Sequence, residues 1–183
     1  MLLHPIIKLH TFTLNNTQYT IRSFDESIDS VEELTELLHR AYKRLADMGL
    51  NFIATFQTAE YTRNYFKKGE CFILTSGEEI SGTIFYQTVM WDDAPEIYKL
   101  ADSVLVGKFA VEPELQKLGL GNKLMDFVES YAAGNGKKRV VLDTSEKALH
   151  LIEYYKRRGY NFIEFWQWPD VNYRSVIMSK ELT

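Results

Sequence analysis

Apolar positions recur along this chain with two different periods, and the changes of period divide it into elements. From Ile7 to Ser23 the side chains alternate. Leu9, Thr11 and Thr13 share one face, His10, Phe12 and Leu14 the other, and Tyr19, Ile21 and Ser23 return after Asn15-Asn16. Alternation around an Asn pair that tolerates positive φ predicts a hairpin. The spacing then becomes helical. Val31, Leu34, Leu37, Leu38, Leu45 and Met48 fall on one stripe, Ser30 and Glu33 form a capping box, and Gly49 is a stop. A shorter helix starts near Thr58 and ends at Gly69, with Tyr61, Tyr65 and Phe66 read as inward-facing. Cys71 to Ser76 and Glu79 to Tyr86 read as two strands around Ser76-Gly77-Glu78. Residues 87–101 have no clear period, and serve equally as a surface connection or as the wall of a pocket.

The second half is more regular. Val104 to Val111 is an apolar, β-branched-rich run, the signature of a buried strand, and Pro113 ends it because proline has no N–H for a ladder. Leu120, Leu124, Phe127, Val128 and Tyr131 then follow helical spacing until Gly134-Asn135-Gly136. Lys138 to Asp143 is a short strand. Thr144 or Ser145 caps a last helix carrying Ala148, Leu151, Ile152 and Tyr155, which ends at Gly159. Strand, helix, strand and helix at this spacing make a parallel βαβ unit with an expected right-handed crossover. Two strands finish the chain, one with Phe162, Phe165 and Trp166, the other from Arg174 to Lys180, joined through Trp168-Pro169-Asp170. No repeat or linker interrupts the pattern. The expectation is one α/β domain over 1–183 with a mixed sheet, residues 1–18 forming an N-terminal strand extension.

Composition narrows the function classes. The chain has 183 residues, 45% hydrophobic and 25% charged, which suits one soluble domain with a sizeable core. Its net charge of −4 gives no pull toward nucleic acid or an anionic membrane. Cys71 is the single cysteine, so an internal disulfide framework is excluded, and it sits in an apolar run as a small hydrophobe. The four histidines, His4, His10, His39 and His150, show no metal spacing, and no metal is expected. MLLHPIIKLH is too interrupted to be a signal peptide, and no run is long enough to span a bilayer. A cytoplasmic setting is the default expectation.

The candidate chemistry lies at Gln116-Lys117-Leu118-Gly119-Leu120-Gly121, where the central strand turns into a helix. Glycines there let a ligand approach the backbone. The helix start offers unpaired N–H groups and about half a positive charge, suited to a phosphate, and Lys117 adds a full charge. Dinucleotide and P-loop fingerprints do not fit, because Asn122 separates Gly121 from Lys123 and no Ser or Thr follows. The stretch instead resembles the acetyl-CoA motif of the GNAT superfamily of N-acetyltransferases, Gln/Arg-x-x-Gly-x-Gly/Ala after a strand ending in Val-x-Pro. Gln116, Gly119, Gly121, Val111 and Pro113 occupy its fixed positions. Tyr154-Tyr155-Lys156-Arg157-Arg158-Gly159-Tyr160 is similar to the family's Tyr-x-x-x-Gly-Phe/Tyr ending. Asn172-Tyr173-Arg174-Ser175-Val176 is a softer match. The asparagine that many members carry near the start of the last helix is replaced by Ser145 and Ala148.

The resemblance implies the GNAT acyl-CoA N-acyltransferase fold, a central mixed sheet with splayed parallel strands flanked by helices. It implies acetyl transfer from acetyl-CoA to a primary amine of a small molecule or peptide, directly within a ternary complex. Phe109, Ala110 and Val111 would bond the pantetheine arm, with one N–H polarising the thioester. Gln116, Lys117, Leu118, Gly119, Leu120, Gly121 and Asn122 would hold the diphosphate. By the same resemblance Tyr155 would be the general acid for the departing thiolate, a role open to a phenol that stays protonated at neutral pH with a pKa of about 10, the alternative being that it only packs or binds cofactor; Tyr154 is the weaker candidate. An acceptor ammonium with a pKa of about 10.4 must lose a proton. Asp92, Asp93, Glu96, Asp102 and Glu112 are in range, and none sits on a motif. Lys137-Lys138-Arg139 and Lys156-Arg157-Arg158 are both open to the 3′-phosphate of CoA. The aromatic C-terminal strands could pair two copies. A non-catalytic acyl-CoA-binding module of the same fold is the alternative.

Overall fold

In the computed structural model, which describes residues 9–182, one eight-stranded sheet runs through the molecule. The strands are β1 (His10–Leu14), β2 (Thr17–Ser23), β3 (Gly69–Ser76), β4 (Glu79–Gln87), β5 (Ser103–Val111), β6 (Arg139–Ser145), β7 (Asn161–Trp166) and β8 (Ser175–Glu181). Their order is β1-β2-β3-β4-β5-β6-β8-β7. Only β5 and β6 pair in parallel; every other neighbour is antiparallel. The helices are α1 (Val31–Asp47), α2 (Ala59–Tyr65), α3 (Glu96–Lys99), α4 (Leu120–Gly134) and α5 (Leu149–Arg157).

Period-two alternation in the strands sorts side chains between the two helical layers. Phe72 and Leu74 of β3 pack with Leu120, Leu124 and Val128 of α4, whereas Cys71 and Ile73 pack with Leu34, Leu37 and Leu38 of α1. Leu124 is fully buried, so truncation to Ala there costs about 2–5 kcal/mol. The Cys71 thiol is buried as expected, and burial pushes its pKa up to about 12. The hairpin turn uses Asn15 and Asn16 at φ +49° and +63°. Residues 1–8 of the expected N-terminal extension lie outside the described residues.

Several local expectations are corrected. Ser30 caps α1, its Oγ accepting from the Glu33 N–H at 3.1 Å, but Glu33 does not reach back; its carboxylate accepts from the Ile80 N–H of β4 at 3.4 Å. Met48 is 44% exposed and leaves the apolar stripe. Residues 87–101 contain the one-turn α3, and Met90, Trp91, Ala94 and Tyr98 pack against Leu105, Val141 and Ile177. Neither Thr144 nor Ser145 caps α5. The β6–β8 ladder continues to Ser145↔Ser175, so these residues are spent as strand and α5 begins four residues later at Leu149. His39 is half-buried, and its Nε2 lies 2.8 Å from the Gln57 carbonyl oxygen, tying α1 to the segment before α2.

Candidate active site

The site begins where the parallel pair comes apart. Ladder pairing of β5 with β6 covers Ser103–Leu105 against Arg139–Val141. β5 then runs on to Val111 and β6 to Ser145 without pairing, which opens a wedge at their C-terminal ends. On its other side β5 stays joined to β4 through Gly82↔Val111 and Thr83↔Ala110, and the Glu112 N–H donates to the Ser81 carbonyl at 2.9 Å. Backbone groups in an antiparallel ladder point alternately to one side and the other. Ala110 is therefore committed to Thr83, and Val111 turns its N–H and C=O toward the wedge. Gln116 Nε2 donates to that carbonyl at 3.1 Å, and the Val111 N–H meets no acceptor among the described residues.

A bulge interrupts the same strand. Thr83 pairs with Ala110 and Phe85 with Gly107, so Lys108 and Phe109 together oppose Ile84. Lys108 takes φ +47°, a conformation that costs a non-glycine residue about 1–2 kcal/mol. Bulges of this kind re-aim a side chain next to a site. The Lys108 Nζ donates to Gln57 Oε1 at 2.8 Å and lies 5.1 Å from the Tyr65 ring centroid and 5.4 Å from that of Tyr61. Burial lowers its pKa to about 8.

After β5 the chain makes a 3-10 turn at Pro113–Leu115 and enters α4. Lys117 and Gly119 adopt φ +68° and +92°, which curls successive N–H groups toward one point. No side chain caps α4, and the N–H groups of Leu120, Gly121 and Asn122 meet no acceptor among the described residues. A Cβ on Gly119 would meet open space, so the glycine there answers to its φ; a Cβ on Gly121 would stand 3.0 Å from Phe109 Cζ. Gln116 and Asn122 have internal partners. The Asn122 Oδ1 accepts from the Tyr154 hydroxyl at 3.0 Å and from Arg158 at 3.3 Å, fastening α5 to the turn. Lys117 and Leu118 are exposed.

The two basic clusters separate. Lys137 donates to the Ala101 carbonyl at 2.8 Å and Arg139 pairs with Asp102 at 3.4 Å, both at the end of the sheet away from the turn. Arg157 lies beside the turn, in a recess shared with Asn122, Asp126 and Tyr154. Arg158 in that recess is held by Asp126 at 2.7 Å and by the buried Glu129 at 3.1 Å.

The wedge opens into a cavity of about 330 Å³. Leu105 to Phe109 of β5 and Tyr155 of α5 line it. The rest is aromatic, from Tyr42 of α1, Phe52 before α2, Tyr61 and Tyr65 of α2, and Trp168 and Tyr173 between β7 and β8. Tyr61 and Tyr65 thus line a cavity where a core role was expected. Trp91 and Asp93 also line it, so residues 87–101 act as a wall. Tyr155 is buried, and burial, with Tyr42, Tyr154 and Asp143 nearby, holds its phenol well above its ordinary pKa. Tyr154 instead stacks on Phe109, and burial pushes its pKa up to about 12.

Of the five carboxylates singled out in the sequence, only Asp93 lines the cavity, at its exposed rim. Glu112 pairs with Arg40, Glu96 with Lys99, and Asp102 with Arg139. Asp170, which is exposed, and Asp143, which is half-buried, also line it, and neither stands out in the sequence. Asp143 lies two residues past the last β5–β6 pair. Its Oδ2 accepts from Ser175 Oγ at 2.7 Å and Trp168 Nε1 at 3.1 Å, and its Oδ1 from the Tyr98 hydroxyl at 3.2 Å. Lys108 was passed over too. The available signal was a lone charge inside an apolar strand, beside a glycine. Among the described residues no cluster of His, Cys, Asp or Glu is placed to hold a metal ion, and no helix is long and apolar enough to cross a membrane.

A strand edge freed by splaying, a bulge beside it and an uncapped glycine turn define a class of acyl-CoA-dependent transferases, and comparison with known proteins agrees. The acetyltransferase (GNAT) family model matches residues 31–160, well over half of the chain, and the chain belongs to that family and is an acyltransferase. It is 30% identical over 131 residues to S-(2-succino)cysteine N-acetyltransferase of Bacillus subtilis strain 168, covering 70% of this chain and 77% of that protein. The GNAT domain of S. lividans PAT superposes with a TM-score of 0.70 at 17% identity, covering 95% of this chain and 97% of that one. A Bacillus subtilis acetyltransferase solved with CoA has a TM-score of 0.64 at 17% identity, covering 89% and 98%.

Proposed function

We propose that this enzyme moves acetyl from acetyl-CoA to the primary amine of a small molecule or the end of a peptide, by direct attack within a ternary complex. The observation that carries the reading is the wedge itself, which brings an open strand edge, a buried phenol and a cavity of about 330 Å³ to one place. The uncapped turn at 119–122 suits the CoA diphosphate. The open Val111 N–H suits the thioester end, and one fixed donor to a developing oxyanion is worth about 10²–10³ in rate. The cavity volume is near the lower bound for ligand sites, which favours a small acceptor over a folded one. The B. subtilis relative named for a cysteine adduct is in keeping with this.

The neutral amine attacks the thioester carbon, the C–N bond forms, and the C–S bond breaks. Tyr155 gives its hydroxyl proton to the departing thiolate. Its raised pKa keeps it protonated until the thiolate appears, and the proton released by the attacking amine restores it. Phe162, Ile163 and Phe165 stand exposed on β7, the edge strand, and support pairing of two copies.

The test is thiol release from acetyl-CoA over a panel of amino acids, peptide N-termini, polyamines and aminoglycosides, with both substrates varied for any acceptor found. Intersecting initial-rate lines are expected. Parallel lines would exclude direct transfer, and tight CoA binding without turnover on any amine would leave only a binding module.

A further inference from the structure

Asp93 and Asp170 line the acceptor cavity from exposed positions, and two further charged side chains, both half-buried, line it as opposite poles that the chemistry above does not use. One is Lys108, the only basic side chain on the cavity wall among the described residues. It stands on a strained bulge and is surrounded by Gln57, Tyr61 and Tyr65, with no carboxylate partner among the described residues. Asp143 acts on this half-buried ammonium only through space, with no ion pair formed, and a largely desolvated ammonium without a contacting carboxylate is left to meet an anion. The other pole is Asp143. A carboxylate has about four acceptor positions. Three are taken by Ser175, Trp168 and Tyr98, and two of those are on Oδ2, so Oδ1 keeps a lone pair for a further donor. Aromatic faces lie between the poles, and these favour a cation near Asp143 and an apolar body across the middle.

We propose that the cavity selects an amino-acid-like zwitterion, with the acceptor's ammonium directed to Asp143 and its carboxylate to Lys108. The proposal rests on the acetyltransferase reading and adds the substrate class. Asp143 lies just past the point where β5 and β6 part, beside the open edge assigned to the thioester. The amine is thus presented at the reacting end, and the carboxylate is held at the bulge. Lys108 is then a specificity-determining residue; Tyr155 remains the proton donor.

The experiment compares matched pairs of ligands that differ only in the carboxylate, such as phenylalanine with phenethylamine and an S-alkylcysteine with the corresponding S-alkylcysteamine. kcat/KM is measured for each. Binding in the presence of CoA is read separately from tryptophan fluorescence, since Trp91 and Trp168 line the cavity. The wild-type enzyme is expected to prefer the acid by about tenfold to a hundredfold, the worth of one charged hydrogen bond. In Lys108→Met and Lys108→Gln that ratio collapses toward one, whereas a merely structural role would depress both members of each pair and preserve the ratio. A wild-type preference for the decarboxylated amine, a ratio unchanged in both variants, or no fluorescence response to any zwitterion would each overturn the proposal. Stabilisation by acetyl-CoA without turnover, together with a carboxylate-dependent fluorescence response, would instead sink the transferase reading and keep the binding site.

Discussion

The turn at 116–122 and the cavity beside it are built from different parts of the chain. The turn works with backbone. Its donors are consecutive amides, its shape comes from φ at Lys117 and Gly119, and its two internal braces come from Gln116 and Asn122. The cavity works with side chains drawn from α1, α2, the 87–101 segment, β5, β6, α5 and the β7–β8 connection. Under the proposed function, a local backbone device would serve the part of the reaction common to every acceptor, the cofactor, and it leaves a spacing in sequence. A recognition surface assembled from distant segments can change its acceptor one side chain at a time, and leaves none.

The sharpest way to break that division is Tyr155, which belongs to the Tyr-x-x-x-Gly-Phe/Tyr motif and also lines the cavity. Tyr155→Phe is expected to lower kcat by about 10²–10⁴-fold, with the acetyl-CoA Kd unchanged. An unaltered rate would remove it from the mechanism. On the backbone side, Gly119→Val forces a β-branched residue to φ +92° and disorganises several charge-assisted contacts at once. The Kd for acetyl-CoA should rise about a hundredfold or more while the circular dichroism spectrum stays native. Tight CoA binding by this variant would show that the turn does not hold the diphosphate.

How far the sequence could be read follows the same line. The strand, turn and helix from Ser103 to Gly134 were legible because each boundary has a local cause in Pro113, Gly119 and Gly134. The start of α5 was misplaced because β8, thirty residues away in sequence, holds Thr144 and Ser145 in a ladder that outweighs a cap. Lys108 was hidden because periodicity averages over a bulge, and a bulge is fixed by the neighbouring strand. Asp143 was hidden because its partners Tyr98, Trp168 and Ser175 are distant in sequence, and nothing near it marks it as more than a strand end.

Lys108 gives a prediction about stability that the turn residues do not. Its surroundings are Gln57, Tyr61 and Tyr65, with Asp143 raising its pKa and Lys68 lowering it, and burial outweighs both to leave it at about 8. A lysine whose folded-state pKa falls below its unfolded value of about 10.4 opposes folding. The opposition is complete below pH 8, where both states carry the proton. It fades between about 8 and 10.4, where the unfolded chain still binds a proton that the folded one has lost. Lys108→Met should therefore stabilise the protein at pH 7 by about 1–3 kcal/mol, and the gain should shrink as pH rises through that window. Thermal melts at pH 7 and pH 9.5 read it. A variant less stable than wild type at pH 7 would mean that the lysine is a structural member of the fold.

The smallest expected effect separates the two basic clusters. Arg157 is exposed in the recess beside the turn, where the proposed function would bring the 3′-phosphate of CoA. Lys137 is tied to the Ala101 carbonyl at the opposite end of the sheet. An exposed cation facing a phosphate is worth well under 1 kcal/mol and is screened by salt. Arg157→Ala should accordingly raise the KM for acetyl-CoA only about two- to fivefold, and less at high ionic strength. The loss should disappear when 3′-dephospho-CoA thioester replaces the normal substrate, because the charge that Arg157 meets is then gone. Lys137→Ala should leave KM unchanged with either thioester. If the two variants behave alike, Arg157 acts only through the general field of the protein, and the 3′-phosphate is met elsewhere.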